Sequence, residues 1–247
     1  MLVVAIVALA LILAAAATLA VGALLQKPKA DVPSPELAHS AAAAIATAPG
    51  VGFTLKIATR SPDGTSATNA SGTIDFEDRL FSGTADGGDA GAPMSLFGGP
   101  ASGAVVVADG LFVQAGKGAW VHVPELDQHL AAFVDRDKLS RAFRDILDAS
   151  TIDPAIRFKP CGAESCRLIT ISAPPEAIYD AGTGVLGSGV QTPPDDFGRT
   201  TVELLIDPSS GFPVRLDTAL TAGPTTTDVS LELERLDPAP TISPPIP

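Results

Sequence analysis

Two cysteines are the residues whose types and spacing predict chemistry most directly in this 247-residue chain. Cys161 and Cys166 lie in the sequence Cys-Gly-Ala-Glu-Ser-Cys, between segments that read as extended strands. Four residues between two cysteines at a hairpin tip bring their Cα atoms within disulfide range. A zinc site needs two more ligands, and His39, His122 and His129 show no ligand spacing to the pair. The pattern therefore favours a disulfide over a metal site, and an oxidising compartment outside the cytoplasm.

A glycine-rich segment, Gly182 to Gly187, matches the G-x-G-x-x-G pattern of dinucleotide-binding proteins. That chemistry requires a strand before the glycines and a helix N-terminus after them to hold the pyrophosphate. Here the preceding residues read as helix and Pro193-Pro194 follows, so we interpret the segment as a flexible loop. Asp195-Asp196, in the same proline-rich stretch, reads as solvated surface, and no serine lies in a nucleophile-elbow sequence. The sequence therefore predicts no catalytic site and no cofactor.

The charge of the chain argues against two further classes of function. Asp and Glu number 28 against 16 Lys and Arg, which gives a formal net charge of -12. Contacts to nucleic-acid phosphates need clustered Lys and Arg, and so does a basic face on anionic lipid. The acidic residues are spread along the chain, as on an ordinary solvated surface. We therefore expect neither nucleic-acid binding nor a peripheral basic membrane face.

Residues 1–26 contain no charged side chain and are nearly all apolar. As a helix this segment would be about 39 Å long, longer than a hydrocarbon core of about 30 Å. We predict an uncleaved transmembrane anchor; a cleaved signal peptide is the alternative, because small residues occur at Ala14–Ala17 and Val21–Ala23. Lys27 and Lys29 follow the segment and by the positive-inside rule would hold the body in the cytoplasm. Since the disulfide argues for the opposite orientation, we expect the true translation start to lie upstream, with a basic stretch before the apolar segment.

The rest of the chain divides into a linker at 27–35, one β-rich domain at 36–237 and a Pro-rich tail at 238–247 that we expect to be disordered. Ser34-Pro35-Glu36 reads as the N-cap, first-turn proline and first-turn acid of a helix that ends near Ala48. Most later segments alternate apolar and polar residues, the period of a half-buried strand, and tight turns join them. About eleven strands with short hairpin links predict an α+β fold dominated by one antiparallel sheet.

Apolar residues of the early strands and of a second amphipathic helix, at Asp135–Ser150, are predicted to face one interior. Alternate strand positions share one face, and helical positions three or four apart share one stripe. The predicted lining residues are Phe53, Leu55, Ile57, Phe76, Phe143, Ile146 and Leu147, with Trp120 added from a short strand. Trp120 and the other apolar positions have two interpretations: a packed core, or the wall of an apolar ligand cavity.

Four short motifs carry a resemblance to a known family. They are Ser71–Phe76, Gly110–Val113 with Trp120, Leu205–Pro208, and Phe212–Arg215. In their order along residues 36–236, the chain resembles the actinobacterial LppX/LprG-type lipoproteins, within the LolA-like superfamily of half-open β-barrels. The resemblance implies a curved antiparallel sheet with helices on its concave face and an apolar cavity between them that holds acyl chains. Members of the family carry lipids or lipoglycans between envelope layers.

The N-terminal segment departs from the family pattern. Family members end the signal peptide with a cysteine that is lipidated, whereas Leu19–Ala23 contains none. A retained N-terminal helix would then replace the lipid anchor as the contact with the membrane. The resemblance and the apolar sheet face together predict a non-catalytic cell-envelope protein that binds or transfers lipid or glycolipid acyl chains, membrane-bound or secreted, with its β domain outside the cytoplasm. The alternative is an envelope sensor or protein-interaction module on the same fold, with a protein partner and no lipid cargo.

Overall fold

The computed structural model describes residues 32–87, 103–107, 110–114, 119–123, 134–161, 164–178, 180 and 198–243. They form two helices of more than ten residues and one sheet of twelve strands, which confirms the predicted α+β class. The predicted N-terminal helix at 1–26 lies outside the described residues. Within the part of the chain that is described, no helix has the length and apolar character needed to cross a bilayer.

The two helices bracket the first half of the sheet in sequence. Helix α1 spans Ser34–Ala46 and helix α2 spans Arg136–Ala149. The strands are β1 (Gly50–Ser61), β2 (Gly64–Asp75), β3 (Leu80–Gly87), β4 (Gly103–Val107), β5 (Gly110–Gln114), β6 (Trp120–Val123), β7 (Thr151–Ile152), β8 (Arg157–Cys161), β9 (Glu164–Ala173), β10 (Thr200–Ile206), β11 (Pro213–Ala222) and β12 (Thr225–Leu236).

All strand pairs of the sheet are antiparallel, and most join neighbours in sequence. The order is β6-β5-β4-β3-β2-β1-β12-β11-β10-β9-β7. Strand β8 stands outside this order: it pairs with the first half of β9, and β7 pairs with the second half. Among the described residues no ladder joins β6 to β7 or β8, so the sheet is open. About eleven strands were predicted; the additional one is β7, whose two residues are too short for any alternation to be read.

The helices cover one face of the sheet, which we call the helix-side face. Helix α1 packs over β11, helix α2 packs over β9, and the two helices contact each other. Odd-numbered residues of β1 and β12 and even-numbered residues of β10 and β11 point into the core beneath them. The other surface, the opposite face, carries the intervening positions and is mostly polar. The core therefore lies between the helices and the middle strands β1, β12, β11, β10 and β9.

A pair of glycines shapes the helix-side face of β2 and β3. Gly72 and Gly83 lie opposite each other, and Phe53 is the cross-strand neighbour of Gly72. The rings of Phe53 and Phe81 stack with centroids 5.7 Å apart. A Cβ atom at Gly72 would lie 2.2 Å from the backbone oxygen of Ser82 and 3.0 Å from the Phe53 ring. The glycines thus leave the depth that the two aromatic rings occupy.

The first helix begins differently from the sequence prediction. Pro33 is its N-cap residue, and Ser34, the predicted cap, is already helical. The hydroxyl of Ser34 is buried and donates a 2.8 Å hydrogen bond to the carbonyl oxygen of Pro154, so it ties the helix to the segment before β8. Asp135 caps α2 as expected of an acid at that position, because its carboxylate accepts hydrogen bonds from the backbone N–H groups of Asp137 and Lys138.

The tail predicted to be disordered is described as far as residue 243. Leu236, the last residue of β12, pairs with Gly50 at the start of β1. The chain then continues beside that strand, and a Cβ atom built on Gly50 would clash with the ring of Pro240. A side chain at position 50 would therefore displace this part of the tail.

Candidate functional site

Seven of the eight predicted lining residues lie together in one buried cluster. Strand residues Phe53, Leu55, Ile57 and Phe76 and helix residues Phe143, Ile146 and Leu147 all belong to it, and none is more than 7% exposed. The predicted convergence of strand and helix side chains is therefore confirmed. Because so little of their surface is accessible, protein atoms cover them almost entirely. That they line a lipid cavity remains a prediction.

Trp120 lies apart from this cluster. Its cross-strand partner is Gln114, which pairs in turn with Gly103, so these three positions share the opposite face of the sheet. The register from β1 to β6 contains no bulge that would reverse the alternation. The structure therefore does not place Trp120 with the other predicted lining residues. Its neighbour Val121 takes the position on the helix-side face instead.

Val121 ends a row of small and apolar positions that starts in the core. Successive cross-strand partners give the row Phe53, Gly72, Gly83, Ala104, Val113 and Val121. Phe53 is buried, whereas Val121, on the edge strand β6, is 60% exposed. By register, glycine or apolar residues thus occupy this row of helix-side positions from the core to one open edge of the sheet.

Phe158 occupies the corresponding place at the other open edge. It pairs with Arg167 of β9, which pairs with the buried Ile206 of β10, so Phe158 also points to the helix-side face. Its side chain is 67% exposed. Among the side chains that the structure describes, Val121 and Phe158 are the two large apolar ones with high exposure. Both lie on one face of the sheet, and they lie at its two edges.

The opposite face of the sheet is charged. The Lys56 ammonium lies 3.6 Å from the Glu232 carboxylate, which is also 4.0 Å from the Arg215 guanidinium. Two open depressions of about 710 and 580 Å³ lie along this face. Exposed ion pairs of this kind contribute about 0–1 kcal/mol each to stability. We interpret this surface as a solvated one.

The cysteine pair forms the predicted disulfide. Cys161 at the end of β8 and Cys166 in β9 are bridged, with their Cα atoms 5.6 Å apart. Cys166 is fully buried on the opposite face, where it packs in a small apolar cluster with Leu168 and Leu205. The bridge therefore joins the two strands of the hairpin to each other beside its tip.

In the described part of the chain, the pKa of one carboxyl group is perturbed, and the contacts that perturb it belong to a turn. Asp207 begins the turn between β10 and β11. Partial burial acts to raise its pKa, but hydrogen bonds from the hydroxyl and backbone N–H groups of Ser210 and Ser209 outweigh this and lower the pKa from its ordinary value. Among the described residues, the His, Cys, Asp and Glu side chains form no group of three that could hold a metal ion.

Comparison with known proteins gives matches among solved structures. The lipoprotein LppX of Mycobacterium tuberculosis is similar at 10% identity, with 85% of this chain and 97% of that chain covered and a TM-score of 0.47. A LolA superfamily protein from Nitrosomonas europaea matches at 9% identity over 83% of this chain and 94% of its own, with a TM-score of 0.30. A lipoprotein-sorting protein domain from Vibrio parahaemolyticus, itself described as putative, matches at 7% identity over 81% and 91%, with a TM-score of 0.26.

The chain resembles LppX and LolA-type proteins. This is the resemblance that its sequence motifs predicted. No protein-family model matches the chain, and no curated protein matches it either.

Proposed function

We propose that this domain is a non-catalytic cell-envelope protein that binds or transfers the acyl chains of a lipid or lipoglycan. The observation that carries the proposal is on the helix-side face, where glycine and apolar residues occupy the positions from the core to the exposed Val121, and where Phe158 is exposed at the other open edge. Single exposed apolar residues are ordinary on protein surfaces. Two that share one face and flank one core indicate an apolar space that reaches solvent.

We place the proposed site away from the centre of the core. Ile57 and Ile146 are covered by protein atoms, so acyl chains run beside them rather than among them. The rings of Phe53 and Phe81 fill the depth that Gly72 and Gly83 leave, so acyl carbon has no space beside those glycines. We therefore assign the acyl chains to the helix-side face beyond these rings, toward Val121 of β6.

The disulfide supports a location outside the cytoplasm, because such bonds persist in oxidising compartments. The apolar residues 1–26 would bring the domain to the membrane, as an anchor or as a secretion signal. A lipid or glycolipid is then the ligand, and the membrane and an envelope protein are further partners. In this proposal the domain performs no chemical step on its ligand.

Thermal unfolding with and without added lipid tests the proposal. A ligand that binds only the folded state at one hundred times its Kd stabilises by about 2.7 kcal/mol. For a domain of this size, this corresponds to a rise in Tm of roughly 5–11 °C. We expect that rise when a diacyl lipid is added to delipidated protein, and none with the water-soluble head group alone. No rise with any acyl-bearing lipid would contradict the proposal.

A second function is favoured by one observation. The seven clustered lining residues are nearly inaccessible, as in a core that needs no cargo. The domain would then be an envelope sensor or protein-interaction module, and the exposed edges would meet a protein. Unchanged stability across all added lipids, together with lipid-free protein from the native host, would favour this function over the first.

A further inference from the structure

The β8–β9 hairpin combines an exposed aromatic side chain with three cationic side chains. Phe158 lies in β8, at the open edge of the sheet, and the disulfide closes the hairpin tip beyond it. From residue 157 to residue 167 the chain carries three cations, Arg157, Lys159 and Arg167, and one carboxylate, Glu164. The segment therefore has a formal charge of +2 in a chain whose net charge is -12.

Protection of the sheet edge explains part of this composition. Charged residues and proline on an edge strand prevent a second chain from pairing with it, which accounts for Lys159 and Pro160. It does not account for Phe158, because an exposed aromatic side chain on an edge favours association. Its ring is 67% exposed and lies among cationic side chains.

The cations flank this ring on both sides of the strand. Arg167 is the cross-strand neighbour of Phe158 on the helix-side face, while Arg157 and Lys159 point to the opposite face. The Arg157 guanidinium is 3.7 Å from Asp153, and the Lys159 ammonium is 2.6 Å from Glu203. Both cation side chains remain solvent-exposed, at 60% and 45%. An ammonium has three N–H donors and a guanidinium has five, so each cation can contact a lipid phosphate and keep its carboxylate partner.

We infer that the β8–β9 hairpin docks on an anionic membrane, with Phe158 in the interfacial region and Arg157, Lys159 and Arg167 at the lipid phosphates. Aromatic side chains favour this interface, and Lys and Arg near it are attracted to anionic lipid. The overall acidity of the chain predicted no basic membrane face, but charge on this hairpin departs locally from the average. The inference rests on the proposed function, because the docked edge opens the helix-side face toward the bilayer that supplies the lipid.

The other exposed edge provides a matched comparison. Val121 is on the same face and similarly exposed, but its neighbours in β6 are Trp120, His122 and Val123 rather than permanent cations. Docking on an anionic membrane requires both an apolar side chain and nearby positive charge. We therefore expect it at Phe158 and not at Val121.

Fluorescence quenching in the full chain tests the docking. Trp120 is the single tryptophan, so Trp120→Phe gives a background in which Phe158→Trp or Val121→Trp places one reporter at either edge. The probe is a vesicle of phosphatidylglycerol and phosphatidylcholine with brominated acyl chains, which quench the indoles that they contact. We expect at least twofold quenching for Phe158→Trp that depends on phosphatidylglycerol. Acyl chains bound near β6 also quench Val121→Trp, but that quenching should be the same with vesicles of brominated phosphatidylcholine alone. Equal dependence on phosphatidylglycerol at the two positions, or no quenching at Phe158→Trp, would overturn the inference.

Charge dependence gives the second arm of the test. Arg157→Gln with Lys159→Gln, in the Phe158→Trp background, should reduce the quenching at least twofold, as should vesicles of brominated phosphatidylcholine alone. If neither the glutamine substitutions nor the phosphatidylcholine vesicles reduce the quenching, the inference is wrong. The indole at position 158 would then be quenched by lipid that the domain has bound, without docking on an anionic membrane. Lipid extracted from the same preparations separates the two proposals: lipid-loaded protein that shows no quenching at Phe158→Trp contradicts the docking alone.

Discussion

Replacing Val121 with aspartate places a charge at the proposed mouth of the apolar space without disturbing the core. Complete burial of a valine side chain contributes about 1.5–3 kcal/mol to stability. Val121 is 60% exposed, so less than half of that is at stake. We therefore expect Val121→Asp to lower the free energy of unfolding by roughly 1 kcal/mol or less.

The effect on lipid binding should be larger than the effect on stability. Each acyl methylene removed from apolar contact costs about 0.8 kcal/mol. Exclusion of two or three methylenes by a hydrated carboxylate therefore costs about 2 kcal/mol, which is a roughly 30-fold increase in Kd. Competition with a fluorescent acyl probe measures this change, and chemical unfolding measures the stability of the same sample.

Two variants control for charge and for shape. His122→Asp adds the same carboxylate one residue along the strand, on the opposite face, and should leave lipid affinity close to the original value. Val121→Thr keeps the shape of the side chain and should have only a small effect. If His122→Asp weakens lipid binding as much as Val121→Asp, or if neither changes it, the assignment of acyl chains to the helix-side face near β6 is wrong.

Three further predictions concern stability. Ile146→Trp should lower the free energy of unfolding by about 1–3 kcal/mol, because Ile146 is only 1% exposed and a larger ring overpacks the core; lipid affinity, measured in the folded protein, should change little. Replacing Cys161 and Cys166 together with serine should cost about 2 kcal/mol in chemical unfolding, since the bridge closes a short loop, and an equal stability in reducing and oxidising buffer for the unmutated protein would contradict this. The pKa of Asp207 is lowered in the folded state, so its carboxylate stabilises the fold above about pH 4 and this contribution is lost as the pH falls further. The free energy of unfolding, measured across that pH range, should therefore depend less on pH in Asp207→Asn than in the unmutated protein.

Local periodicity predicted most of the fold. The alternation in β1 and the apolar stripe of α2 each identify an element by its own residues, and the structure places both as expected. Strand β7 was missed because its two residues carry no period and pair only through their position beside β9. The cap of α1 was displaced by one residue because the Ser34 hydroxyl bonds to Pro154, a contact between distant segments.

The candidate site could be predicted only in part. The residues of β1 and α2 were expected to share an interior, and they do, but an apolar pattern is the same for a packed core and for a cavity wall. Which face Trp120 occupies depends on the register of six strands, and the sequence does not fix that register across the segment between β3 and β4. The exposure of Phe158 could not be predicted either, because a strand residue is exposed or covered according to which segments pack beside it.

Mass spectrometry of lipids that copurify with the protein from its native host tests the central proposal most directly. The protein should be purified without added lipid, and extracted acyl-bearing lipid should be quantified against protein for the unmutated chain and for Val121→Asp. The proposed function predicts a lipid or lipoglycan in about equimolar amount, and a clear loss of it in the variant. Lipid-free protein that is stable and folded, with the same result for Val121→Asp, would contradict it.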